Sequence, residues 1–342
     1  MIVENFPDRT IQVEGKEYLY FGGTAYLGLS TNASFLKILT QSITKWGSFY
    51  GSSRSSNIKL SIFNKAEAFF AEQIGAEAAV TTSSGTLAGK LVLDYLSQSD
   101  YTFYHYPKTH PAILHPNSLP VFVNGQLHPN LRNTTNENIV ITVDAVLALE
   151  VEPTSFDFLN NISSEKKVTL VVDESHSLGI VGKQGQGVFS SILSEKLERK
   201  IMVSSLGKAL GLSGGIIASD NDFIDSIKNE ILFISSSCAN AGYLEAYLQS
   251  QDLIHQQQKK LKENLAFLFD DFKPKERFKF SKNYPVIYCN EDGFYDYLYK
   301  NNIIITNFKY PNYEGFMSRI VISANHTQED LEILKHALIH RL

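Results

Sequence analysis

The chain has 342 residues, 43% hydrophobic and 20% charged, enough apolar material for one large α/β unit with a smaller companion. A formal net charge of −5 supplies no basic field for nucleic acid or an anionic membrane, and the two single cysteines, Cys238 and Cys289, imply neither a disulfide framework nor a zinc site. Met1–Asn5 lacks the basic region and apolar core of a signal peptide, and no run is long and apolar enough to span a bilayer, so the expected location is cytoplasmic.

Glu17–Phe21 is aromatic and strand-like and closes on Gly22-Gly23. Tyr26-Leu27-Gly28-Leu29-Ser30 follows, then a helical stretch from about Asn32 to Trp46. The Gly/Ser-rich Gly47–Ser56 holds Gly51-Ser52-Ser53-Arg54 and reads as a connector or as part of a site. Ile62–Ile74 has the spacing of an amphipathic helix stopped by Gly75. Ala79–Thr82 is a short strand that runs into Ser83-Ser84-Gly85-Thr86, and the next helix carries Leu87, Leu91, Val92, Tyr95 and Leu96 on one side. Such a turn offers an anion free backbone N–H groups and the positive end of a helix; a serine there is equally an ordinary N-cap. His105, His110, His115 and His128 do not have the spacing of a same-face helical pair, and no cysteine or carboxylate cluster joins them, so no metal site is expected. His110, in Lys108-Thr109-His110-Pro111-Ala112, is the one kept as a candidate.

Asn138–Val143 and Val168–Asp173 are further strands, separated by a helical or looping Ser155–Lys166. Thr169-Leu170-Val171-Val172 ends on Asp173-Glu174-Ser175-His176, as expected of a buried parallel strand with its chemistry at the C-terminal edge. Gly179, Gly182, Gly185 and Gly187 do not open a helix after a strand and read as a loop shaped for close backbone approach, not as a dinucleotide fingerprint. Ile201–Val203 leads to Ser204-Ser205-Leu206-Gly207-Lys208-Ala209, and Gly214–Ala218 returns as a strand. Lys208 stands among small residues 35 positions after Asp173; an aspartate for a pyridinium nitrogen and a lysine for a Schiff base are the protein groups that a pyridoxal 5′-phosphate (PLP) site needs most. Tyr243–Asp271 is long and helical, and strands near Pro285–Tyr288, Ile303–Thr306 and Arg319–Ser323 with a last helix from Gln328 suggest an α+β subdomain. The expected division is an N-terminal segment 1–35 belonging to the small domain, a large domain 36–240 and a C-terminal small domain 241–342.

Taken in order, Tyr26-Leu27-Gly28-Leu29, Gly51-Ser52-Ser53-Arg54, Ser83-Ser84-Gly85, Asp173-Glu174-Ser175-His176-Ser177-Leu178-Gly179 and Ser205-Leu206-Gly207-Lys208-Ala209 resemble the α-oxoamine synthases, the PLP enzymes of fold type I typified by 8-amino-7-oxononanoate synthase. The resemblance runs from about residue 17 to the C-terminus. It implies a large, mostly parallel-sheet domain with helices on both faces plus a smaller α+β domain. It also implies condensation of a small amino acid with an acyl-CoA, usually with loss of carbon dioxide, in a homodimer.

By the same resemblance Lys208 carries the cofactor and moves the Cα proton, Asp173 pairs with the pyridine nitrogen, His110 stacks on the ring and His176 lies near the phenolic oxygen. Ser84, Gly85, Thr86 and Ser205 match the phosphate site, and Ser236 matches a residue reaching the phosphate of the partner subunit. Arg319 matches the arginine that grips the substrate carboxylate as a fork. Structural alternatives are a strand-end cap for Asp173, a core histidine for His176, a surface lysine for Lys208 and a paired sheet arginine for Arg319.

The chain departs from the family pattern at Thr24-Ala25, where Asn-Asp or Asn-Asn is common, at Phe63 for a usual histidine, at Thr86 for an aromatic residue and at Ala148 near a usual serine. The stretch before the first motif is shorter than in most members, and Ser97–Asn138 is trimmed. These positions touch the acyl side and spare the cofactor side. The readings in competition are the acyltransferase, an aminotransferase on the same cofactor, and a non-catalytic binding protein of the same fold.

Overall fold

The apolar runs sort into two sheets in the computed structural model, which describes residues 1–270, 277–309 and 317–340. In chain order the strands are β1 (Thr10–Val13), β2 (Lys16–Phe21), β3 (Ala78–Thr82), β4 (Thr102–His105), β5 (Leu119–Pro120), β6 (Phe122–Val123), β7 (Gln126–Leu127), β8 (Glu137–Asp144), β9 (Lys166–Asp173), β10 (Leu197–Ser205), β11 (Gly215–Ser219), β12 (Phe278–Ser281), β13 (Tyr284–Cys289), β14 (Ile303–Phe308) and β15 (Met317–Val321). The helices are α1 (Ala33–Trp46), α2 (Ser61–Ile74), α3 (Gly85–Leu96), α4 (Pro129–Arg132), α5 (Asn221–Asn229), α6 (Ile231–Ser235), α7 (Ala241–Gln249), α8 (Gln251–Phe269), α9 (Phe294–Lys300) and α10 (Gln328–His340).

The large sheet has the order β3-β11-β10-β9-β8-β4-β5, and within it β11 alone runs against its neighbours. β8 and β9 are buried along nearly their whole length, as parallel strands covered on both faces must be. Alternation along β10 shows the two coverings: Met202 joins a core with α1, α2 and α7, while Ile201 and Val203 join one with α3 and α5. This is the expected mostly parallel sheet between helical layers. The second sheet, β1-β2-β14-β15-β13-β12, takes its first two strands from the N-terminus, with β2 parallel to β14. Arg9 holds Asp330 through two hydrogen bonds of 2.8 Å, tying the N-terminal segment to α10.

Local signals explain most of the elements. Asn32 caps α1, accepting from the amides of Ser34 and Phe35, and Gly75 ends α2 with φ 79°. Phe70 of α2 stacks on Tyr247 of α7 at 4.4 Å, and truncating Phe70 to alanine should cost about 3–5 kcal/mol. The helical reading of Tyr243–Asp271 becomes two helices that meet at Ser250, with Asp271 outside the described residues. Ser155–Lys166 contains only a 3-10 turn at Asp157–Asn161 before β9 begins. β1 is an addition; it turns into β2 through Glu14 and Gly15 with φ 50° and 79°, a hairpin turn that twists with its strands. β8 reaches one residue past the expected strand, to Asp144, and that residue belongs to the site.

Candidate active site

Parallel strands bring their C-terminal ends to one edge, and here β8, β9 and β10 end there on Asp144, Asp173 and Ser205. Register sets Asp144 beside Asp173, and Asp173 beside Val203, two residues before Ser205. On the other side Ser205 pairs with Gly215 and Gly215 with Thr82, where β3 enters the turn to α3. One sheet edge therefore runs from an anion-type turn to a pair of carboxylates, and the Lys208 loop closes over it.

That loop is a tight link between β10 and β11. Leu206 donates its amide to Gly214 O at 3.0 Å, Leu212 to Leu206 O at 2.9 Å, and Gly211 to Lys208 O at 3.2 Å. Among the described residues the Lys208 side chain makes no hydrogen bond and no ion pair. Burial pushes its amine below the ordinary lysine value, against the opposing pull of Asp173 and Asp144. Asp173 is 6% exposed, and its Oδ1 accepts the Ser175 amide at 2.8 Å. His176 is held from two sides, its Nδ1 bonded to the Tyr26 hydroxyl at 3.0 Å and its carbonyl accepting the Tyr284 hydroxyl at 3.1 Å. Burial first, and then Lys208 and Arg319, drive His176 well below its ordinary value, so the ring is neutral. Burial raises the Tyr26 phenol to about 12, so it stays protonated beside the neutral ring.

The anion-type turn is built for contact. The Ser84 side chain caps α3 by accepting from Leu87, and the first intrahelical bond runs from Ala88 to Ser84 O, which leaves the amides of Gly85 and Thr86 unclaimed by the helix. A Cβ on Gly85 would lie 2.6 Å from Ser205 N, so glycine is required where the turn meets β10. Ser205 accepts the Gly207 amide on its hydroxyl at 3.2 Å and donates its own amide to Ser175 Oγ at 2.8 Å.

A cavity of about 600 Å³ opens beside these groups, lined among others by His110, Asp144, His176 and Arg319. Arg319 lines this cavity: Nη2 donates to Gly23 O at 3.3 Å, the guanidinium also meets the Tyr288 hydroxyl, and the buried Nε has no partner among the described residues. Leu114, Val146, Leu147, Ala148, Leu149 and Phe308 make much of the lining apolar, and the Arg319 guanidinium lies 5.4 Å over the Phe308 ring. Tyr284 and Tyr288 complete it; neither was anticipated, because both arrive on β13 of the small sheet. A second cavity of about 690 Å³ shares the Tyr284 wall but includes none of the expected site residues.

The other expectations resolve individually. Ser236 follows α6 directly, its hydroxyl donating to Leu232 O, and among the described residues no hydrogen bond joins it to the anion turn of its own chain. Arg54 is committed to structure: its guanidinium pairs with both carboxylate oxygens of Glu67, donates to Thr81 and lies 4.3 Å above the ring of Phe63. His105 bonds Ser118, His115 stacks on Phe103 at 4.1 Å and His128 accepts the Asn130 amide.

The family model described as "Aminotransferase class I and II" matches residues 154–338. Serine palmitoyltransferase of Sphingobacterium spiritivorum is 26% identical over 66% of this chain and 59% of its own length. The 8-amino-7-oxononanoate synthase of Lysinibacillus sphaericus is 25% identical over 75% of this chain and 69% of its own. The chain thus spans less than two thirds of the first relative's length. Among solved structures, a high-resolution structure of SPT with PLP internal aldimine superposes with a TM-score of 0.80 at 16% identity, covering 98% of this chain and 90% of the other.

Proposed function

This chain belongs to the aminotransferase class I and II family, and from that premise we propose that it is a PLP-dependent C-acyltransferase that condenses a small amino acid with an acyl-CoA thioester, releasing CoA and carbon dioxide. The observation that carries the reading is Lys208, a partly buried amine that among the described residues makes no hydrogen bond or ion pair and feels the charges of Asp173, Asp144 and Arg319.

The residues fit the cofactor. Asp173 would hold the pyridine nitrogen, the amides of Gly85 and Thr86 with Ser84 and Ser205 would hold the phosphate, His110 would lie against the ring and His176 would serve the phenolic oxygen. When bound, PLP supplies an electron sink for the bond broken at the amino acid Cα. Lys208, its amine favoured by burial, takes the Cα proton and later returns it to the product. Arg319, in the cavity lining, receives the substrate carboxylate, and the exposed His110 hydrogen-bonds that carboxylate and the new ketone. The apolar wall from Val146 to Leu149 with Phe308 receives the acyl end and keeps water from the reacting carbon. A homodimer suits this scheme: Ser236 follows α6, whose Ile231 is 82% exposed, so a second copy would cover the apolar side chain and receive the hydroxyl.

The test is an absorbance spectrum with added PLP, wild type beside Lys208→Ala, followed by small amino acids and then an acyl-CoA. A visible band that the variant lacks, and free CoA thiol released only when both substrates are present, are expected. Amino-group transfer to a 2-oxo acid without CoA release would replace the acyltransferase by an aminotransferase. Absence of any PLP band would remove the enzymatic reading.

A further inference from the structure

Asp144 is unused by the reaction scheme, yet its side chain is 7% exposed and it stands at the same level as Asp173 on the adjacent strand. Its carboxyl Oδ2 accepts the backbone N–H of His110 at 2.8 Å. The segment it holds also has bonds of its own: Lys108, with φ 65°, pairs with Glu150 at 2.8 Å, Thr109 Oγ1 donates to Tyr106 O at 2.7 Å, and Nδ1 of the exposed His110 accepts the Ala112 amide at 3.2 Å. Two anchors bind that segment to β8. Thr109 Oγ1 donates to Thr142 O at 3.1 Å, and His110 N donates to Asp144, two residues along the same strand. Asp144 is itself fixed, its carbonyl accepting the Thr154 hydroxyl at 2.7 Å.

We propose that Asp144 is a positioning residue that pins the backbone of His110 to the end of β8, and so sets the place of the imidazole that would lie against the cofactor ring. Two buried carboxylates side by side cannot both ionise cheaply, and burial together with Asp173 raises Asp144 well above its ordinary value. Charged or neutral, the Asp144 carboxyl offers an oxygen that accepts the His110 amide. The imidazole senses the arrangement, since Asp173 and Lys208 both act on His110 electrostatically.

The inference rests on the PLP reading, but its first measurement does not need the cofactor. Hydrogen–deuterium exchange resolved to the His110 amide, on PLP-free protein, should be about tenfold faster in Asp144→Ala and near wild type in Asp144→Asn, which keeps an acceptor at the same place. Apparent PLP affinity by fluorescence titration should fall about tenfold in Asp144→Ala and in His110→Ala, with no further loss in the double variant, because the first residue acts through the second. If Asp144→Ala does not fold, Asp144→Ser, whose hydroxyl stops short of the amide, is read in the same way. Unchanged exchange, or a full additional loss of affinity when Asp144 is changed in the His110→Ala background, overturns the proposal. A wild type that takes up no PLP refutes the enzymatic reading instead, while the exchange result still decides whether Asp144 holds the loop.

Discussion

Lys166 is buried and Lys208 partly so, and the fold treats them in opposite ways. Lys166 is 0% exposed at its side chain, and its Nζ donates to Asn133 Oδ1 at 2.8 Å, Thr135 O at 2.9 Å and Glu137 Oε2 at 2.9 Å, which fills all three donors of an ammonium. Lys208 has none of these, and burial lowers its pKa. A satisfied buried cation is a structural rivet, whereas an unsatisfied one is a group kept available for something else. Arg54 and Arg319 repeat the contrast, the first saturated by Glu67 and Thr81, the second with a bare Nε.

The sharpest test of that contrast is Lys208→Ala. Turnover, read as CoA release, should drop by about 10³-fold or more, while calorimetry should show a melting temperature equal to or above wild type, since an unpaired, partly buried amine is removed. The PLP-free wild type should also gain stability as pH rises toward 10.5, and lose it as pH falls through the lowered folded-state value, because the unfolded chain binds that proton more tightly. Lys208→Ala should flatten this slope. Lys166→Met should behave oppositely, losing about 2–3 kcal/mol in urea unfolding because the partners around Glu137 are left unmatched, with PLP uptake unchanged in the fraction that stays folded.

Glu174 gives a third, smaller effect. Its side chain is buried, it accepts the amides of Val188 and Phe189 and meets the Ser177 hydroxyl, and burial raises it to about 7. The native state therefore holds this proton more tightly than the unfolded chain. Its contribution is complete below about 4.5 and is lost as pH climbs through about 7, by about 1–3 kcal/mol. Glu174→Gln can keep the same bonds, its amide donating to Ser177, and should remove this dependence in denaturant titrations between pH 5 and 8. Lys228→Ala, which breaks only an exposed i,i+3 pair with Asp225, should change stability by less than about 0.5 kcal/mol in the same assay.

Asp173 was legible because it ends an apolar run, and Lys208 because its neighbours are small and uncharged. Asp144 also ends an apolar run, but it was hidden because apolar Ala145–Leu149 follows at once and no polar cluster like Glu174-Ser175-His176 marks the strand end. Tyr284 and Tyr288 read as ordinary strand residues, since nothing local tells a strand of the small sheet that its side chains will face a cavity beside β8. Arg54 and its glycine–serine loop stood open between connector and site; its partner Glu67 sits on the buried side of α2, where a carboxylate signals a partner that spacing alone does not name. Local chemistry was readable, and pairing across a hundred residues was not.

The Lys208 loop is closed by contacts with residues only a few positions away, from Leu206 to Gly214. Arg319 and the tyrosines stand on a sheet made from the two ends of the chain, joined by β2 against β14. The Lys208 amine and the Arg319 side of the cavity thus have separate inheritances. Changes on β13 and β15 can reshape that side of the cavity while the hairpin that holds the amine stays as it is.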